Sequence, residues 1–155
     1  MSVDPLKLEN QLCFPLYAAA RGIVKLYTPF LAEVGLTYTQ YITMMVLWER
    51  RQVGVKELGA ALYLDSGTLT PLLKKLEKQG LLTRARSAQD ERHLVVTLTP
   101  QGEALREKAL QIPARMGECV DLSAEEAGTL YGLLYKLLGQ MEDRQETAKL
   151  EQDRG

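Results

Sequence analysis

Cys13 is one of only two cysteines in a chain of 155 residues. A thiol needs little help to be reactive, since its thiolate attacks peroxide oxygen or another sulfur directly. Tyr17 follows at i+4, on the same face of any helix through Cys13, so its hydroxyl can approach the sulfur. Tyr27 comes fourteen residues after Cys13, roughly 21 Å along a helix axis. That is out of reach within one subunit and within reach only where two first helices cross. The structural alternative stays open for each of these residues. A lone cysteine on an apolar helix face also serves as a small buried hydrophobe, and tyrosines pack in cores with a satisfied hydroxyl. Two cysteines, Cys13 and Cys119, are too few for a disulfide framework. With His93 as the single histidine they are also too few for a zinc site, so no metal and no cofactor is expected. His93 reads as a surface residue of a strand. The absence of a C-x-x-C motif argues against a thiol peroxidase, and the chain is read as a non-enzyme.

A second set of residues has the chemistry of nucleic-acid binding. The chain carries a net charge of -1, yet residues 66–92 hold six basic and three acidic side chains. A basic segment on an acidic body is the electrostatic footprint of an element that reads DNA. The competing account of such a cluster is a solvated charged face. Within it, Leu69, Leu72, Leu73 and Leu76 fall at i, i+3, i+4 and i+7, which turns one helix face inward. Ser66, Gly67, Thr68, Thr70, Pro71, Lys74, Lys75 and Lys78 then face out. Short hydroxyls permit close approach to base edges and phosphates, and Lys74 and Lys75 suit phosphates. Arg84, Arg86 and Arg92 follow in a hairpin whose guanidinium groups suit a narrow minor groove. Asp90 is expected to buttress Arg92 rather than touch DNA.

The elements that must position these residues can be read in order. Asp4-Pro5 suggests an N-cap and first turn, and Leu8, Leu12, Leu16, Ala19, Ile23, Leu26 and Phe30 keep helical spacing up to Gly35. A long first helix is expected, with Pro15 inside it and a kink near Gln11. Thr37 to Gln40 is a capping box for a second, buried helix. A short helix from about Lys56 to Leu62 precedes the reading helix, which Asp65 or Ser66 caps and Gly80 ends. Leu82–Arg86 and Leu94–Leu98 alternate as strands around a charged tip. Thr99-Pro100 starts a fifth helix that ends at Cys119, and Ser123 to Glu126 caps a sixth. From about Glu142 the chain turns polar, and a frayed tail is expected. No apolar run approaches the roughly eighteen residues of a membrane span, and Met1 to Pro5 does not open a secretory leader. A cytoplasmic protein with free thiols is expected.

The runs LENQLCFPLYAAAR, LTYTQYITMMVLWE, LYLDSGTLTPLLKKLEKQGLLTRARSAQDERHLVVTLT and IPARM resemble the MarR family of bacterial repressors, specifically its organic-hydroperoxide-sensing branch. The resemblance spans roughly residues 6 to 141. It is sharpest at Asp65 to Pro71, at Asp90 and Arg92 of the wing, and at Gln11 to Phe14. It implies a homodimeric repressor with Cys13 as the redox sensor. It also implies Tyr27 and Tyr38 as hydrogen-bond donors to the thiolate and Cys119 in the place of the second cysteine of two-cysteine members. Pro15, two residues after Cys13, departs from the pattern.

The expected fold class is mostly α with a small β-wing: one domain over residues 1–155, with a winged helix-turn-helix at about 53–99. Dimerisation helices are expected at about 5–34 and 100–148. The expected partners are double-stranded DNA with a pseudo-palindromic operator, a second copy of the chain, and an organic hydroperoxide as inducer. The alternative is a repressor that responds to an aromatic or phenolic ligand at the dimer interface.

Overall fold

The computed structural model describes residues 4–153. Met1 to Val3, and Arg154 and Gly155 of the expected tail, lie outside the described residues. The chain divides into two compact units, one up to Met116 and one from Gly117 onward.

In the first unit, the segment before Cys13 is held by its own polar side chains. The Leu6 N–H donates to Asp4 Oδ1 at 3.0 Å, Asn10 Nδ2 to the Asp4 carbonyl at 2.8 Å, and Gln11 Nε2 to the Pro5 carbonyl at 2.6 Å. These bonds compete with a helical ladder, so the segment makes only a short 3-10 turn at Leu8–Asn10. Helix α1 therefore runs Cys13–Ala32, and the expected start at Asp4-Pro5 is corrected. Pro15 is the third residue of α1, where an N–H would have no intrahelical acceptor, and the expected kink near Gln11 does not arise. The proline inside α1 is instead Pro29.

Helix α2, Tyr38–Arg50, opens on the expected capping box: the Gln40 N–H donates to Thr37 Oγ1 at 3.4 Å and the Thr37 N–H to Gln40 Oε1 at 2.9 Å. Met44 and Leu47 are fully buried, so α2 is the centre of this unit. Strand β1, Gln52–Gly54, was not expected; it pairs antiparallel with β3. Helices α3, Val55–Leu62, and α4, Ser66–Lys78, follow. Then come β2, Leu82–Arg86, and β3, Leu94–Leu98, both as read from the sequence. The sheet order is β1-β3-β2, all antiparallel. The result is a winged helix-turn-helix, mostly α with a small β-wing, and its core is built around Met44, Leu47, Leu58, Leu76 and Val96.

The expected fifth helix is two. Helix α5 is Pro100–Ala109, capped by Thr99 Oγ1, which accepts from the Gly102 N–H at 3.0 Å. Helix α6 is Ile112–Cys119. Pro113 cannot donate to the Ala109 carbonyl, which breaks the ladder there. Cys119 consequently ends α6.

In the second unit, α7 spans Ala124–Gln152, with the capping box read at Ser123: the Glu126 N–H donates to Ser123 Oγ at 3.2 Å and the Ser123 N–H to Glu126 Oε2 at 2.8 Å. The Ser123 hydrogen bonds hold the Glu126 carboxyl below its usual range. The helix does not loosen at Glu142. Residues 142–149 are rich in strong helix formers, and Glu146 and Lys149 stand at i and i+3, which together carry the ladder on. No described residue of α7 is buried, and Leu130, Tyr131, Leu133 and Met141 stay exposed.

Candidate nucleic-acid interface and cysteine site

Helix α3 turns into α4 through Tyr63, Leu64 and Asp65. Gly59 permits the turn: a Cβ there would lie 2.8 Å from the Leu64 carbonyl oxygen. Tyr63 adopts φ +54, a left-handed conformation that a bulky residue enters at a cost. Asp65 then caps α4, accepting from the Thr68 N–H at 2.7 Å, and that bond lowers its carboxyl pKa. With Leu69, Leu72, Leu73 and Leu76 buried beneath, Ser66, Gly67, Thr68, Thr70, Pro71, Lys74, Lys75 and Lys78 are all exposed. Thr70 Oγ1 donates to the Ser66 carbonyl at 2.8 Å, which leaves the oxygen lone pairs outward as acceptors.

The wing tip is built by local bonds. The Ser87 N–H donates to the His93 carbonyl at 2.7 Å and the His93 N–H to the Asp90 carbonyl at 3.0 Å. Arg92, whose side chain is 90% exposed, is held along one edge by Asp90, which accepts from its N–H at 3.0 Å, from Nε at 3.2 Å and from Nη2 at 3.3 Å. These bonds keep the Asp90 carboxyl ionised below its usual range. Asp90 thus sits beside Arg92 in the buttressing geometry. His93 is exposed and its Nδ1 lies 3.0 Å from Asp90 Oδ2. Arg86 Nη1 donates to the Glu91 carbonyl at 3.1 Å. Arg84 departs from the sequence expectation: its side chain is only 19% exposed, because β2 turns this position toward α4, where it meets Glu77. Its guanidinium is spent inside the lobe, not offered to phosphates.

Cys13 is the first residue of α1 and is exposed; Cys119 is exposed too, and both are free thiols. Tyr17 is one turn on, and its hydroxyl accepts from Arg21 Nη1 at 3.2 Å. At the other end of α1, Tyr27 meets Tyr38 of α2, ring centroids 4.9 Å apart. Tyr41, a residue of the helix expected to be buried, joins them at 5.8 Å from Tyr27 and 6.4 Å from Trp48. Its spacing of three from Tyr38 on one helix was the available signal. Burial first, and the neighbouring phenols second, push the Tyr27 and Tyr41 pKa values up, so these hydroxyls stay protonated. Beside Tyr41 opens a cleft of about 350 Å³ between α2 and α5, lined by Met45, Trp48, Leu110 and Pro113, with Arg106 at its edge.

Set beside known proteins, this arrangement has close counterparts. The profile of the family described as "Transcriptional regulator SarA/Rot" matches residues 25–109. The organic hydroperoxide resistance transcriptional regulator of Bacillus subtilis is 49% identical over 135 residues, covering 87% of this chain and 92% of that one. The chain belongs to the MarR family of transcriptional regulators. Within the MarR family it falls in the organic-hydroperoxide-resistance branch. Among solved MarR-type structures, overoxidized AbfR bound to DNA superposes with a TM-score of 0.73 at 34% identity, covering 86% of this chain and 94% of that one. A disulfide-formed AbfR superposes with a TM-score of 0.65 at 33% identity, covering 86% and 91%. The relatives are regulators, and the chain is a regulator rather than an enzyme. Among the described residues no helix is long and apolar enough to cross a membrane.

Proposed function

We propose that this protein is a homodimeric repressor that grips its operator with α4 and the wing and releases it when an organic hydroperoxide oxidises Cys13. The observation that carries the reading is an exposed thiol at the first residue of α1, in a chain 49% identical to an organic hydroperoxide resistance regulator. The AbfR structures support disulfide formation as the signal: one is described as reduced and bound to DNA and another as disulfide-formed, while overoxidized AbfR is itself described as bound to DNA. Phe14, Leu16, Val24 and Leu26 of α1 and the apolar stripe of α7 are large exposed surfaces that a second copy would cover. In such a dimer the Tyr27–Tyr38 pair of one subunit reaches the Cys13 of the other, a distance the single helix forbids.

In the chemical step the Cys13 thiolate attacks one oxygen of the peroxide. An S–O bond forms, the O–O bond breaks, and the leaving alkoxide takes a proton to become an alcohol. The sulfur is oxidised to a sulfenic acid and the peroxide is reduced. A Cys119 thiolate of the other subunit then displaces hydroxide from the sulfenic sulfur to form a disulfide, the hydroxide leaving as water.

The experiment is a fluorescence-anisotropy titration on a duplex that the wild-type protein selects from a random pool. Cumene hydroperoxide should abolish binding and a thiol reductant should restore it, while salicylate should have no effect. Non-reducing gels should show a covalent dimer after oxidation, lost in Cys119→Ser. Release by salicylate alone would move the function to the second reading, a sensor of aromatic ligands, for which the mostly apolar cleft lined by Tyr41, Trp48, Leu110 and Pro113, with both Arg106 and Glu49 on its wall, offers a place.

The interface itself is tested by Arg92→Ala. This should weaken binding to the selected duplex by about tenfold or more, whereas Lys149→Ala on α7 should leave it unchanged. Equal losses would remove the hairpin from the interface.

A further inference from the structure

Glu77 lies on α4 between Leu76, which is fully buried, and the exposed Lys78. Its carboxylate accepts two bonds from one residue of β2: the Arg84 backbone N–H at 2.7 Å on Oε2 and Arg84 Nη2 at 3.2 Å on Oε1. The first of these bonds, then the second, holds the carboxyl below its usual range. Arg84 Nε is buried and has no acceptor among the described residues, so the guanidinium is committed to Glu77 at the expense of one unsatisfied N–H.

Position explains the role. Arg84 is the central residue of β2, opposite Val96 of β3, which is fully buried. On one side of it β2 starts at the buried Leu82; on the other the hairpin runs out through Arg86 to the exposed Arg92. Glu77 is therefore the carboxylate that ties the helix carrying Thr68, Thr70 and Lys74 to the strand carrying the wing. We propose that Glu77, acting through Arg84, is a positioning residue for DNA recognition. It fixes the angle between the reading helix and the wing so that both reach one duplex together. This rests on the DNA-reading function proposed above. A partly exposed ion pair does little for stability by itself, so its effect should appear in the geometry of binding more than in folding.

The test is a pair of footprints on the duplex selected by the wild-type protein, with Glu77→Gln. The amide keeps the shape but presents at most one acceptor atom where Arg84 now finds two. Protection of guanine N7 from methylation, which reports α4 in the major groove, should persist. Hydroxyl-radical protection at the outer edges, which reports the wing, should disappear. Affinity should fall about tenfold and the melting temperature should hold to within about 2 °C. Arg84→Met should reproduce the selective loss, and the double variant should be no worse than either single one, as expected of two residues acting as a unit. Wing protection that survives in Glu77→Gln and Arg84→Met overturns the inference. So does a loss of both footprints in step with a lowered melting temperature, which would make the pair merely structural. A wild-type protein that protects neither region would instead overturn the function on which the inference rests.

Discussion

Cys13→Ser is expected to bind the selected duplex as tightly as the wild-type protein and to keep it through a dose of cumene hydroperoxide that frees the wild type entirely. Serine preserves the size of the side chain at the first residue of α1 and can still accept a hydrogen bond from a neighbouring phenol. The residues proposed to face DNA lie on α4 and the wing, separate in sequence from Cys13, so basal affinity should be untouched. What serine lacks is the nucleophile: a hydroxyl does not open the O–O bond of a hydroperoxide under these conditions, and the sulfenic acid never forms. In the proposed switch that product is the signal. A sulfenic acid adds a polar oxygen and breaks the hydrogen bonds that suit a thiolate, and a few kcal/mol in the packing of α1 is enough to move a two-state equilibrium by two or three powers of ten. In the wild type the dissociation constant should therefore rise about a hundredfold or more on oxidation, and in Cys13→Ser it should not move. Anisotropy titrations before and after oxidant measure both. Release of DNA by oxidised Cys13→Ser would take the sensor role from Cys13.

Gly102→Ala is expected to lower stability by about 3 kcal/mol, although it lies in none of the binding elements and adds one methyl group. Gly102 is the third residue of α5, a position that favours alanine on helix propensity alone. Its surroundings decide otherwise. A Cβ here would overlap the Leu81 carbonyl oxygen and sit 2.7 Å from Leu98 Cδ1. The backbone cannot yield easily, because the start of α5 is bolted to the turn between α4 and β2. The Thr99 N–H donates to the Leu81 carbonyl at 3.2 Å, Thr99 Oγ1 to the Gly80 carbonyl at 2.6 Å, and Gln101 Nε2 to the Gln79 carbonyl at 3.2 Å. The Gly102 carbonyl in turn accepts from Trp48 Nε1 at 2.9 Å. Trp48 is the single tryptophan, so its fluorescence reports this joint directly. For a chain of this length the loss corresponds to a melting temperature lower by roughly 6–12 °C. An unchanged unfolding midpoint followed through Trp48 would show that α5 slides away from β2 at no cost, contrary to the close contact described.

What could be read along the chain is what near neighbours set. The leucine spacing of α4 and the capping residue Asp65 place Thr68, Thr70, Lys74 and Lys75 outward, because a helix of period 3.6 has only one way to bury that stripe. The capping boxes at Thr37 and Ser123, and the bounds of β2 and β3, follow from the same short-range physics. Asp90 beside Arg92 was legible too, since both lie in one tight tip. The rest was settled where another partner competes with the periodic pattern, whether a nearby polar side chain or a residue from far along the chain. The first helix starts at Cys13 because Asp4, Asn10 and Gln11 bind backbone groups that a helix would have claimed. A three-residue strand carries no periodicity to detect, and β1 exists only because Val53 pairs with Val96. Arg84 has the composition of a phosphate contact, but it shares the inward face of β2 with Leu82, where it meets a carboxylate on another element. Tyr41 looks like any core aromatic until α1 packs across α2 and brings Tyr27 beside it. Periodicity says which face of an element turns inward; which side chain it meets there depends on elements that the chain brings back from far along its length.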